Sequence, residues 1–162
     1  MSIVRVYQDR MPAGVPGHVS RPAESTLETC LVGDTAIAYG APVKRNATTG
    51  KLEGIASGDT EIYGFLARPY PTGGGKGGTG IAGTATGDDG KAEAGTLAEV
   101  MRRGYMTVVC AKGTPVGGGK VYVRLEGGLI ETAADTGKTI EIPARFSDGM
   151  DAANLTEISY NI

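Results

Sequence analysis

The chain has 162 residues, a formal net charge of −2 and a sequence pI of about 5.4. No basic stripe offers itself to a polyanion, which argues against nucleic acid as a partner, and no apolar run is long enough to cross a bilayer as a helix, which argues against a membrane one. Glycine supplies 27 of the 162 residues, far above a usual share of about 7%, with no Gly-X-Y period, so the composition excludes collagen and points to a turn-rich β protein.

In chain order, residues 1–25 are predicted as an extended N-terminal arm. Residues 3–7 form a candidate strand, after which Pro12, Gly14, Pro16, Gly17 and Pro22 break any regular element and favour extended backbone. Such an arm either lies across its own sheet or reaches a neighbouring subunit. The first residues lack the apolar stretch of a secretory signal, so synthesis in the cytoplasm is expected.

Residues 26–162 read as one β domain, of ordinary size and large enough for a core without disulfide staples. Strands are predicted over 26–32, 37–39, 42–45, 51–56 and 62–67, with turns at 33–34, 46–50 and 58–59 and with Pro69 and Pro71 ending the series. Residues 72–91 hold nine glycines in twenty positions. So little apolar surface cannot offset the entropy of ordering, and a flexible inserted loop is expected.

Residues 92–104 carry helix-favouring side chains, with Thr96 placed as an N-cap and Gly104 as a C′ residue. The β character of the surroundings favours a strand over 98–102 instead, with Gly104 as a bulge. Residues 105–111 and 121–125 are rich in β-branched and aromatic residues and flank a turn-forming stretch containing Pro115. They read as a hairpin in one sheet. Further strands are predicted over 129–133, 139–142, 144–146 and 155–160, with a turn at 134–138 and a loop at 147–154.

The two halves echo each other. Val43 and Val121, Leu52 and Leu129, Ala56 and Ala133, Asp59 and Asp135, and Ala67 and Ala144 recur at spacings of 76 to 78. A near-constant offset of this kind suggests a duplicated supersecondary unit. The fold class expected from all this is all-β: a single-domain β-sandwich or barrel-like core of short strands, with an extended arm and a glycine-rich insert.

Catalytic chemistry lacks its parts. His18, the only histidine, sits among Pro and Gly residues with nothing to hold it against a nucleophile and a carboxylate. Cys30 and Cys110 lie inside apolar strands without metal or redox spacing, and read as buried free thiols. Gly73, Gly75 and Gly78 satisfy a dinucleotide-loop pattern formally, but no helix follows. Gly137-Lys-Thr139 ends like a phosphate loop, yet Thr132 stands where that loop needs its first glycine. No catalytic residue, cofactor or metal is expected. Asn46 and Asn154 fit a glycosylation pattern that is incidental without secretion.

Several ordered stretches together resemble the structural cement (decoration) proteins of tailed-bacteriophage capsids: Ala13-Gly-Val-Pro-Gly-His-Val19, Tyr39-Gly-Ala-Pro-Val43, Tyr63-Gly-Phe-Leu-Ala-Arg68, Val100-Met-Arg-Arg-Gly-Tyr-Met-Thr-Val108, Pro115-Val-Gly-Gly-Gly-Lys-Val-Tyr-Val123 and Pro143-Ala-Arg-Phe-Ser-Asp148. The glycine-rich insert departs from that pattern. The resemblance implies a non-catalytic virion protein on the outer capsid surface, made in the bacterial host cytoplasm. It would bind the major capsid protein, bridge neighbouring capsomers, and associate with itself as a homodimer or homotrimer. A tail or baseplate module, or a carbohydrate- or receptor-binding protein, is the alternative; the absence of tryptophan speaks against the last. Arginine beside tyrosine is a favoured interface composition. The expected partner-binding residues are therefore Val4, Tyr7, Val15 and His18 of the arm, with Arg68, Tyr70, Arg102, Arg103 and Tyr105.

Overall fold

The computed structural model describes residues 14–69 and 90–162. Eleven strands carry the described chain: β1 (Thr26–Leu31), β2 (Ile37–Ala38), β3 (Pro42–Arg45), β4 (Leu52–Gly54), β5 (Gly64–Ala67), β6 (Lys91–Ala92), β7 (Leu97–Lys112), β8 (Lys120–Arg124), β9 (Ile130–Glu131), β10 (Thr139–Phe146) and β11 (Leu155–Tyr160), with one 3₁₀ turn at Pro22–Glu24. The protein is all-β and barrel-like, as its composition implied.

The pairings close two rings. In the second half, β7 pairs with β11, β11 with β10, β10 with β8, β8 with β9, and β9 returns to β7 in parallel. In the first half, β7 pairs with β1 and β5, β5 with β3, and β3 with β4. A parallel bridge from Leu52 to Val32 brings β4 back to the end of β1. The two rings have one topology. Lys44 faces Glu53 as Tyr122 faces Glu131, and the parallel closures Val32–Leu52 and Cys110–Ile130 correspond likewise, each displaced by 78 positions. The echo in the sequence is thus a duplicated strand unit. The N-terminal half of β7 completes the first ring and its C-terminal half opens the second.

That shared strand corrects two expectations. Residues 98–102 and 105–111 are not two strands but one, sixteen residues long, and no helix forms over 92–104. Burial on both faces makes Val100, Met101, Met106 and Val108 fully inaccessible, and this packing outweighs the helix propensity of the local residues. Gly104 is the joint: its φ is +137°, which only glycine adopts readily, and an added Cβ would meet Ser25. Nor do β7 and β8 form a hairpin. The two-residue strand β9 lies between them, parallel to β7, so the turn-rich connection crosses rather than folds back.

Two smaller corrections follow. Residues 139–142 and 144–146 belong to the single strand β10, with Pro143 at a register shift between Glu141 and Arg145 where its missing donor costs nothing. Lys91, placed in the glycine-rich loop, instead opens β6, which pairs with β2, and Gly90 accepts from the Tyr39 amide; residues 72–89 of that loop lie outside the described residues. Turn chemistry elsewhere follows the local residues. The Asn46 side-chain oxygen accepts from the amides of Thr48 and Thr49, a local turn that asparagine favours.

Two apolar clusters fill the rings. One gathers Leu52, Leu66, Val100, Val43 and Val32 around the first. The other gathers Phe65, Met101, Met106, Phe146, Ile158 and Tyr160 at the joint and through the second. The Phe65 ring meets Tyr160 edge-on, with centroids 5.2 Å apart and planes at 82°.

Candidate interaction surface

β1 lies at the side of the first ring with its pleat half outside. Leu27, Thr29 and Leu31 share one face, opposite Met101, Glu99 and Leu97 of β7, because side chains two apart point the same way. Barrel packing buries Met101, but Leu27, Leu31 and Leu97 remain 39%, 38% and 72% exposed. Ala67 of β5 extends the same face, opposite Glu99. The result is a strip of exposed leucines interrupted by the Thr29–Glu99 pair, and apolar patches rimmed by polar groups mark interaction sites.

Two adjoining depressions shape the strip. A groove of 410 Å³ is lined by His18, Val19, Pro22, Leu27, Ala67, Arg68 and Glu99. A smaller one of 180 Å³ shares Ala67 and Glu99 and adds Tyr39, Thr29 and Leu97. The Arg68 guanidinium stands 5.4 Å from the centre of the Tyr39 ring, which holds a cation at the groove's rim.

The structure brings His18 and Arg68 together here, with Val15 exposed in the preceding turn. It sends Arg102 to the other face of β7. There the guanidinium lies 3.6 Å over the Tyr63 ring and donates to the Tyr63 carbonyl. The Tyr63 hydroxyl donates to Glu28 at 2.5 Å, and that bond, then burial, raises the phenol's pKa. Arg45 stands 5.7 Å from the same ring. The cluster ties β1, β3 and β7 across the mouth of the first barrel. Tyr105 is half-buried beneath Arg21, 3.9 Å from its ring centre, while Arg21 and Ser20 bond Glu157. Arg103 is exposed opposite Thr26, at the bend. Val4, Tyr7 and Tyr70 lie outside the described residues. Leu27, Leu31 and Leu97 escape detection from sequence. Alternation of leucine and threonine is visible over 27–31, but nothing in a single sequence says that this face is turned to solvent.

Residues 14–25 run along their own barrel. Gly17 and Ser20 donate to the carbonyls of Thr107 and Tyr105, the Thr107 amide donates to His18, and Val19 bridges Met106. The described part of the arm is therefore pinned to β7 by one isolated bridge and the backbone bonds of Gly17, His18 and Ser20.

His18 is exposed and lines the groove together with Glu99. Burial pushes the Cys110 thiol up, away from the reactive thiolate. Among the described residues no cluster of potential metal ligands occurs, and no helix is long and apolar enough to cross a membrane.

Comparison with known proteins matches this fold. A family model described as "Structural cement protein (E217 gp24/Pam3 gp6)" matches residues 4–161. Among solved structures, a chain from the capsid of Myoviridae phage XM1 superposes with a TM-score of 0.68 at 21% identity, over 99% of this chain and 98% of that one. At that identity the likeness is one of fold. No curated protein matches the chain.

Proposed function

The chain belongs to the phage structural cement protein family, whose members serve the capsid as structural parts, and from that premise we propose that it binds the outer surface of the major capsid protein shell and stabilises the mature head by bridging neighbouring capsomers. The observation that carries the reading is the match across residues 4–161. The exposed leucine strip, with Arg68 and Glu99 at its grooves, supports it, since exposed apolar patches rimmed by polar groups mark contact surfaces.

The mechanism is one of differential affinity. A ligand shifts a lattice toward the mature form only by binding that form better than the immature or disrupted one. A weak contact suffices if the protein acts as a homodimer or homotrimer, because a second attachment is then governed by effective concentration. The strip of Leu27, Leu31 and Leu97 would supply buried apolar area. His18, Arg68 and Val15 would anchor its edge, with Arg103 and Tyr105 beyond the bend, Arg102 through its Tyr63 cluster, and Val4, Tyr7 and Tyr70 adding contacts of their own.

The test is titration of purified protein onto shells lacking it, reading copies per shell and the temperature at which shells release their contents. Saturable binding at a fixed ratio to the major capsid protein with raised release temperature is expected. Absence of saturable binding refutes the proposal. Removing residues 1–13 keeps every hydrogen bond described for residues 14–25, and is expected to leave a folded protein that binds with at least 10-fold weaker affinity; unchanged affinity removes Val4 and Tyr7 from the contact.

A further inference from the structure

The duplication exposes an asymmetry. On the second ring, the outer edge of β7 is covered: Tyr105 and Thr107 turn their peptide groups away from β11 and bond Gly17, His18 and Ser20. The corresponding residues of the first ring, 78 positions earlier, are Leu27 and Thr29 of β1. Their peptide groups also point outward. Val32 donates to Thr96 directly opposite, so in the alternating antiparallel ladder Val32, Cys30 and Glu28 bond β7, while Leu27, Thr29 and Leu31 face away. Among the described residues β1 pairs with β7 alone, and nothing runs along this second edge.

An open edge is a template for another strand, and proteins usually guard it with lysine, proline or a bulge. Here it carries Leu27, Thr29 and Leu31, and their side chains continue into the apolar strip. The acidic residue between them, Glu28, is turned to the other face and held by Tyr63 and Arg102.

We propose that the outer edge of β1 at residues 27–31 is a strand-addition site for a short extended segment of the shell protein, carrying apolar side chains at alternate positions. This rests on the capsid-binding reading and specifies how that contact is made. The covered edge on the second ring shows the form of the occupant: a short stretch of chain bonding through Gly17, His18 and Ser20, with apolar Val19 at the bridge. The neighbours of the open edge favour a short segment over a second folded copy. β4 occupies the lateral position beside Val32, and Pro22 lines the same groove as Leu27 near the other end. Antiparallel pairing of two copies would drive the start of each β1 into the other's β4, whereas an isolated segment fits between the two stops. Main-chain bonds would give the affinity, and the two depressions beside Leu27 and Leu97 the selectivity.

Backbone and side chain can be separated. Thr29→Pro removes an outward N–H and blocks an incoming strand without touching a bond to β7, while Thr29→Ala keeps the backbone donor. On shells that bind wild-type protein, T29P is expected to bind at least 10-fold more weakly and T29A within about 2-fold, with amide exchange at 27–31 slowed only when shells are present. The proposal is overturned if T29P, folded by circular dichroism, binds like wild type. It is equally overturned if wild-type amides at 27–31 exchange at the same rate with and without shells, a measurement that stands even if T29P does not fold, or if they are protected by self-association without shells. Failure of the wild type to bind shells at all sinks the capsid reading itself, a separate outcome.

Discussion

Replacing Gly104 with alanine tests the claim that β7 works as one strand only because it bends at this residue. The φ of +137° lies where an L residue is strained, at a cost of about 1–3 kcal/mol. An added Cβ would collide with Ser25 Oγ and stand 2.6 Å from the Ser25 Cβ and 2.9 Å from its backbone. Overpacking of this kind adds about 1–3 kcal/mol. The two together give a destabilisation of roughly 2–6 kcal/mol, which in a chain of this length lowers Tm by about 4–24 °C. Urea and thermal unfolding of Gly104→Ala measure it directly. A second variant, Ser25→Gly, removes the Oγ and Cβ atoms but leaves both the close approach of the Ser25 main chain and the strained φ. The double variant should therefore recover part of the loss and not all of it. A loss below about 1 kcal/mol in Gly104→Ala, or full rescue by Ser25→Gly, would refute the reasoning that backbone conformation and close approach both reserve the position for glycine.

Phe65→Ala empties a fully buried site and breaks the edge-on contact with Tyr160; a loss of about 3–5 kcal/mol in urea unfolding is expected. Arg124 grips Glu131 with two bonds, at 2.5 and 2.9 Å, and reaches Asp135 at 3.2 Å. Because Glu131 is only 4% exposed, Arg124→Leu strands its carboxylate, and Tm should fall further than in the double variant Arg124→Leu/Glu131→Leu; equal losses would contradict this. Cys30 and Cys110 are both buried and free, so an aqueous thiol reagent should label neither in the folded protein and both in denaturant, as read by mass spectrometry.

The candidate surface shows where sequence reading stops. Arg68 and His18 stand out by composition and do share a groove, but they meet there because residues 14–25 run back along β7. Arg102 and Arg103 are adjacent in sequence and part company in space, since successive residues of a strand face opposite ways. Leu27 and Leu31 look like core residues in the sequence. They are 39% and 38% exposed because their face of β1 is turned away from the apolar cluster that takes Cys30 and Val32.

The chain alone determined the β class, most turns, the buried thiols and the duplicated spacing, because these rest on local chemistry: asparagine and glycine in turns, β-branched residues in strands, and a strand pattern written twice. Tertiary structure alone decided that β7 serves two rings, that β9 slips between β7 and β8, and that among the described residues β1 pairs on one edge only. Such features depend on which distant backbone groups find each other, and a residue's own propensity carries no record of its partner.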